Sequence, residues 1–292
     1  MRTVSLSTAA MHAIFIAFCL FCVVPILIVV SSSFTAERSL VIEGFNLWPK
    51  SFSLSAYRLV FTHGEALLRA YVVTVGVTAI GTLLSVLFST MTAYTLSRND
   101  FKHRSYFGFY IYFTVLFHGG LVPSYILATR YLHLGNTVWA LFLPMLIIPW
   151  FIFLMRRFLT DIPVSLIESA KMDGASEYGI FLRIVLPISK PAIAAVSLIM
   201  ALGYWNSWWL SLLYIEDRHL YTLQYLLYII LSNIQALQDA ANTSFTVANA
   251  MDTPQMSLRM AMALLAAGPT LFVFPFFQRF FIKGMTVGAV KG

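Results

Sequence analysis

The stretch Glu168–Pro187 reads ESAKMDGASEYGIFLRIVLP. It carries Glu168, Lys171, Asp173, Glu177 and Arg183, and Gly174 breaks it near its middle. Both flanks are apolar: NTVWALFLPMLIIPWFIFLM precedes it and PAIAAVSLIMALGYW follows it. A chain this apolar needs only a few residues to turn from one buried helix into the next. A charged, glycine-hinged insert of this length therefore bears on how the whole chain is organised.

The insert, about 161–187, reads as two short helices joined by a hinge. Asp161-Ile162-Pro163 is a helix start, with proline at an early position where its missing N–H costs nothing. VSLIESAKM propagates the first helix, and Asp173-Gly174 stops it, because glycine accepts the left-handed geometry of a helix end. Ser176 is placed to cap a second helix, SEYGIFLRIV, ending at Pro187. Leu166, Ile167 and Ala170 share one face of the first helix, while Glu168 and Lys171 share another. The small residues Ala170, Gly174 and Ala175 leave room for another surface to approach. The pattern predicts a rigid knuckle made to dock into a groove.

The surrounding composition sets the solvent. The 292 residues are 59% hydrophobic and 11% charged, with mean hydropathy +0.80. Soluble domains average about 25% charged residues, so this chain cannot supply a soluble protein's polar surface. Six apolar windows reach the length of a membrane span, about 11–33, 70–97, 105–128, 136–155, 191–213 and 257–282. They lack the alternation of barrel strands, so helices are the expected form. The expected fold is an all-α membrane protein, one domain over residues 1–292, with six transmembrane helices and the two-helix loop between spans 4 and 5. A seventh apolar piece, 221–234, is too short to cross and contains Gln224 and Asn233, which predicts a helix at the interface or packed under the spans. The first window is too long for a signal-peptide core and ends in VVSSSF without an A-x-A site, so it reads as a retained span. Cys19 and Cys22 lie inside it and read as packing residues.

Orientation follows from the basic residues. With the N-terminus in the cytoplasm, Arg2, Arg98, Lys102, Arg104, Arg156, Arg157, Lys171, Arg183, Lys190, Arg279, Lys283 and Lys291 all face the cytoplasm, while 205–256 keeps only Arg218. The positive-inside rule then places both termini and the 161–187 loop on the cytoplasmic side. The net charge of +7 is explained by this orientation, and no aromatic-basic motif points to nucleic acid. Span three contains His118-Gly119-Gly120 and Pro123, span four Pro144 and Pro149, span six Pro269 and Pro275. Interrupted helices line transport pathways, but Gly and Pro are also common packing residues in membrane helices. Of two long outer segments, the second includes QALQDAANTSFTVANAMDTPQ, which reads as a solvated loop.

No G-x-x-x-x-G-K-[ST] phosphate cradle, H-E-x-x-H or metal-spaced Cys/His cluster occurs, and no span centre carries an ion pair. The expected chain is therefore not an enzyme, holds no metal or cofactor, and draws its energy from a partner.

The insert resembles the cytoplasmic signature of the permeases of binding-protein-dependent ABC importers: E-A-A, three residues, G, nine residues, I-x-L-P. Here it is Glu168-Ser169-Ala170, Gly174 and Ile184-Val185-Leu186-Pro187, with Ser169 the one departure. The carbohydrate branch, and within it the lipoprotein-type sugar permeases, is further resembled in LWPKSFSLSAYRLVF, GGLVPSY, TVWALFLP, Tyr204-Trp205-Asn206, LYTLQYLL and the tail FIKGMTVGAVKG. Importers of longer oligosaccharides, alginate among them, are the nearest in kind. The resemblance implies a bacterial inner-membrane subunit paired with a homologous permease as a heterodimer. It also implies two copies of a cytoplasmic ABC ATPase that bind ATP and Mg, and an extracytoplasmic solute-binding protein. It implies that Glu168, Ser169, Ala170, Lys171, Asp173, Gly174, Ala175 and Arg183 form the coupling element. Glu168 would meet a basic residue of the ATPase, Gly174 would permit the turn, and Pro187 would start span five.

Sugars are held by aromatic faces and side-chain hydrogen bonds. Tyr204, Trp205, Asn206 and Trp208 offer both, with Tyr125 and His118 as further candidates; an aromatic belt accounts equally well for Trp208 and Trp209. The expected function is ATP-driven import of an oligosaccharide by alternating access. The alternative is a six-span secondary transporter or channel without an ATPase.

Overall fold

The computed structural model describes residues 6–62, 64–243 and 255–289. Among these residues it is helical throughout, and the only extended pairing is a single antiparallel bridge between Thr35 and Phe52. In chain order the helices are α1 (Leu6–Ser33), α2 (Glu37–Glu43), α3 (Ser55–Thr62), α4 (Gly64–Ser97), α5 (Arg104–Leu116) and α6 (Leu121–Ile126). Then come α7 (Pro149–Thr160), α8 (Val164–Met172), α9 (Glu177–Ile180), α10 (Leu186–Ile188), α11 (Lys190–Trp205), α12 (Trp209–Tyr214), α13 (Leu223–Thr243) and α14 (Met256–Ala289).

Two of these, the Ala10–Ser33 part of α1 and all of α4, are long and apolar enough to cross a membrane. Three bent pairs bring the number to five if each pair crosses as one span, and the Met256–Leu271 part of α14 is a shorter apolar helix. Two of the bends fall in windows where breakers are noted above, spans three and four, and each has a local cause. The window 105–128 turns by 113° between α5 and α6, where Gly120 takes φ +92° and donates its N–H to Nδ1 of His118 at 2.9 Å. The window 136–155 is two 3₁₀ turns, Val138–Leu141 and Leu143–Met145, followed by α7 at 53°. Ile148 is extended there (φ −110°, ψ 111°) because the ring of Pro149 excludes the helical conformation from the residue before it. The window 191–213 divides at Trp205 into α11 and α12. By contrast, α14 continues through Pro269 and Pro275. The seventh piece is also longer than read: α13 has 21 residues and takes in 235–243, the first part of the supposed outer loop. The remainder of that loop, 244–254, lies outside the described residues.

The chain divides into two compact units. The first comprises Met1–Leu68 and Leu226–Pro269. In it, Phe34 stacks on Tyr57 with ring centroids 5.0 Å apart, and the Tyr57 hydroxyl donates to Ser33 Oγ at 3.0 Å. Glu37 is buried, and its carboxylate accepts the N–H groups of Met256 (2.7 Å) and Ser257 (3.0 Å) and the hydroxyl of Ser257 (2.8 Å). These N–H groups open α14 and have no partner within the helix, so an acidic acceptor is the natural cap.

The second unit comprises Arg69–Tyr225 and Thr270–Gly292. Among its described residues are two apolar clusters. One gathers Tyr204, Val77, Leu141, Phe142, Leu210 and Tyr214. The other joins the end of α4 (Ala93, Tyr94, Leu96), α7 (Phe151, Ile152, Met155) and α11 (Val196, Met200) to Ile167, Ala170, Ile180, Phe181 and Val185 of the insert. The insert is thus built into the core rather than hung from it.

Candidate functional site

The first half of the insert is α8. Ile167 and Ala170 turn inward and are buried, while Val164, Leu166 and Met172 stand exposed, Met172 at 88%. Leu166 therefore departs from the expected shared face. Its Cβ direction sits a third of a turn from Ile167, enough to take it off the packed stripe.

The hinge has the geometry its residues suggest. Gly174 adopts φ +78°; its N–H reaches Lys171 O at 3.0 Å, and the N–H of Ala175 reaches Ala170 O at 3.0 Å. This pair of bonds closes the end of α8 in a Schellman turn and satisfies carbonyls that the helix cannot. Ser176 then caps α9, its Oγ accepting the Gly179 N–H at 3.2 Å.

The second half does not stop at Pro187. After α9 the backbone widens into a π-helical turn at Phe181–Val185, with Leu186 N–H bonded to Phe181 O, and runs on through α10. Pro187 can donate no bond and would collide with the carbonyl four residues back in a regular helix; the wider turn accommodates it. The 81° bend into α11 comes at Ser189–Lys190, so Pro187 lies two residues before the bend and does not start the next long helix.

An ion network joins the insert to the end of α4. Lys171 Nζ lies 3.0 Å from Asp100 Oδ2 and 2.6 Å from Glu177 Oε1. Arg98 donates to Asp100 through Nε (3.0 Å) and Nη2 (2.5 Å), approaches Glu177 Oε1 at 3.8 Å, and lies 5.8 Å over the Tyr94 ring. The Tyr94 hydroxyl donates to Glu177 Oε2 at 3.1 Å. The hydrogen bond from Arg98, then that from Lys171, holds the Asp100 carboxyl far below the usual carboxylate range. Glu177 is lowered chiefly by Lys171, and Lys171 is raised chiefly by Glu177. A cavity of about 270 Å³ opens beside it, lined by Met91, Tyr94, Thr95, Glu177, Tyr178 and Phe181.

Magnitudes separate the two kinds of contact. Burying an Ile side chain stabilises by roughly 1.5–3 kcal/mol, whereas exposed ion pairs give about 0.2–1 kcal/mol each. Ile167 and Ile180 therefore hold the insert in place, and the charges fix its direction.

The predicted coupling residues thus divide. Ala170 is buried, and Lys171 is exposed but engaged within the chain. Glu168, Ser169, Asp173, Gly174, Ala175, Arg183 and Pro187 are exposed. Arg98, Asp100, Tyr94 and Glu177 are not among the predicted coupling residues. Arg98 and Asp100 lie some 70 residues earlier in sequence, and only the fold brings them to Lys171.

The predicted substrate residues have separate partners. Tyr204 is 2% exposed, its hydroxyl 2.8 Å from Ser85 Oγ and 3.2 Å from Phe142 O, so it is a core residue and not an open sugar platform. Trp205 is buried, its ring 6.4 Å from that of Tyr71. Asn206 is exposed, its Nδ2 bonded to Leu202 O at 2.8 Å. Trp208 meets Trp209 edge to face at 5.6 Å, and Tyr125 stacks on Tyr214 at 5.8 Å. His118 is exposed at the α5–α6 bend.

No family model matches the chain. It is 38% identical over 281 residues to the polygalacturonan/rhamnogalacturonan transport system permease protein YtcP of Bacillus subtilis, covering 96% of both chains. To protein LplC of the same organism it is 38% identical over 271 residues, 92% of this chain and 90% of LplC. The arabinooligosaccharides transport system permease protein AraQ of Halalkalibacterium halodurans is 30% identical over 282 residues, 95% of this chain and 94% of AraQ. Among solved structures, a chain from a bacterial ABC transporter involved in the import of the acidic polysaccharide alginate matches with TM-score 0.81 and 25% identity, covering 96% of this chain and 100% of that one.

Proposed function

The chain belongs to the permease subunits of carbohydrate ABC importers, and on that premise we propose that it conducts an oligosaccharide inward by alternating access, driven by a separate ATPase through the 161–187 knuckle. Six crossings with both termini in the cytoplasm put the knuckle on the ATPase side, in keeping with the positive-inside pattern. The observation that carries the reading is the knuckle itself. Its signature spacing is complete but for Ser169, its hinge is a Schellman turn at Gly174, its inner face is locked into the core, and its outer face exposes Val164, Leu166, Glu168 and Met172. An element packed on its inner face, with apolar side chains and charges together on its outer one, suits a groove on another protein. Closure of a nucleotide-bound ATPase pair would push two such knuckles, one from each permease of a heterodimer, and rock the halves against each other. A solute-binding protein would deliver the sugar on the outer face.

The substrate class is an oligosaccharide. The match to importers of polygalacturonan/rhamnogalacturonan and of alginate favours one built from sugar acids. Purification of the tagged chain from its own membranes in mild detergent tests the assignment. Co-isolation of an ABC ATPase and a second permease, with uptake of a labelled oligogalacturonate or oligoalginate, supports it. Isolation of the chain alone from a membrane that still takes up the sugar contradicts it.

A further inference from the structure

Lys171 lies within the signature stretch, yet its ammonium is taken by two carboxylates of its own chain. One of these, Asp100, follows the end of α4; the other, Glu177, opens α9 on the far side of the Gly174 hinge. Glu177 also takes the hydroxyl of Tyr94, a buried residue of α4, while Arg98 spans Asp100 and Glu177 with its side chain only 13% exposed. Two cations and two anions so arranged join three segments: α8 before the hinge, α9 after it, and residues 98–100 directly after α4. We propose that Lys171 and Glu177 are positioning residues that clamp the knuckle across its hinge to α4, so that a push on the knuckle moves that 34-residue helix instead of bending the hinge.

The inference rests on the reading of the knuckle as the ATPase-driven part, and it assigns these two residues to transmission rather than to docking. Gly174, in the left-handed region, is a place where the knuckle can flex, because glycine lacks the Cβ that restricts other residues. The apolar packing of Ile167 and Ile180 holds the halves down on either side of the hinge. The Lys171–Glu177 contact at 2.6 Å spans the hinge, and Tyr94 of α4 and Asp100 just beyond α4 hold its two ends. Among the described residues, the charged and titratable groups facing the cluster are Arg98, Asp100, Lys171, Glu177 and Tyr94.

The test uses the intact transporter in proteoliposomes, with Lys171→Met, Glu177→Gln and the conservative Lys171→Arg. Three quantities are read: co-purification of the ATPase, ATP hydrolysis, and sugar moved per ATP hydrolysed. With Lys171→Met and Glu177→Gln the complex assembles and hydrolyses ATP, while sugar moved per ATP falls by about fivefold or more, the low end of typical coupling between sites. Lys171→Arg, which keeps the charge and both acceptors in reach, recovers most of it. Two results overturn the proposal: an unchanged ratio of transport to hydrolysis in Lys171→Met, or loss of ATPase co-purification in that variant, which would make Lys171 a docking contact. If the wild-type chain itself brings down no ATPase, the failure lies with the functional reading and not with the clamp.

Discussion

Tyr204 of α11 lays its ring against the backbone of Gly81 in α4 and sets its hydroxyl 2.8 Å from Ser85 Oγ, one turn further along. A Cβ at position 81 would stand 2.8 Å from the ring carbon that bears the hydroxyl, closer than such atoms pack. The second bond from that hydroxyl, to Phe142 O, ties in the segment before α7. Three parts of the second unit are thus pinned at one phenol.

Gly81→Ala should therefore destabilise the protein by overpacking, at about 1–3 kcal/mol. Tyr204→Phe keeps the ring, leaves Ser85 and the Phe142 carbonyl without the phenol, and should cost about 0.5–1.5 kcal/mol. Thermal unfolding of the detergent-solubilised protein ranks the two. A neutral Gly81→Ala would mean the helices do not cross here.

The hinge predicts an asymmetry between substitutions. Gly174→Pro imposes φ near −65° where +78° is observed and removes the N–H bonded to Lys171 O. Gly174→Asn tolerates the left-handed region and keeps that N–H. Uptake should vanish in the first and persist in the second, with both proteins present in the membrane at wild-type levels. Equal uptake in the two would show that the turn plays no part.

The cap on α14 gives a prediction in the first unit. Glu37→Ala strips the acceptor from the N–H groups of Met256 and Ser257 and from the Ser257 hydroxyl, a loss of about 1–3 kcal/mol, whereas Glu37→Gln retains an acceptor oxygen and should lose less. Thermal stability of the two variants compares them.

The ion network carries a pH signature. Asp100 and Glu177 are lowered in the folded state, so their contribution is complete above the ordinary carboxylate values of 3.8 and 4.5 and is lost as pH falls through the lowered ones. Lys171 is raised, so its contribution is complete below its ordinary value of 10.5 and is lost only above it. The stability difference between wild type and Lys171→Met should hold constant between about pH 6 and 9 and shrink below about pH 4. A change centred near neutrality would point to a different group.

Much of this was legible in the residues. The knuckle's hinge and cap follow from Gly174 and Ser176, because φ/ψ restrictions and helix-end hydrogen bonds are local. The long apolar helix α4 follows from composition alone. The bends were only half legible: Pro149 and Gly120 mark where a helix can break, but proline also sits within α14 without ending it, since packing decides whether the lost bond is tolerated. The fate of Pro187 was hidden for the same reason, as a π-helical turn has no sequence sign. The clamp was beyond reach, because the spacing between Asp100 and Lys171 carries no periodicity. Tyr204 is a candidate sugar contact by sequence and a buried residue in the fold, because an aromatic residue at a helix end looks the same whether it meets a ligand or the backbone of Gly81.

The central claim, that an ATPase subunit grips this knuckle, is tested most directly by a photo-crosslinking amino acid placed at Met172, the most exposed apolar side chain of α8, in the assembled transporter. Illumination should join this chain to the ATPase from position 172, and not from Trp48, an exposed residue in the segment between α2 and α3. No cross-link from 172 in a complex that hydrolyses ATP and moves sugar, or the same yield from both positions, would contradict it.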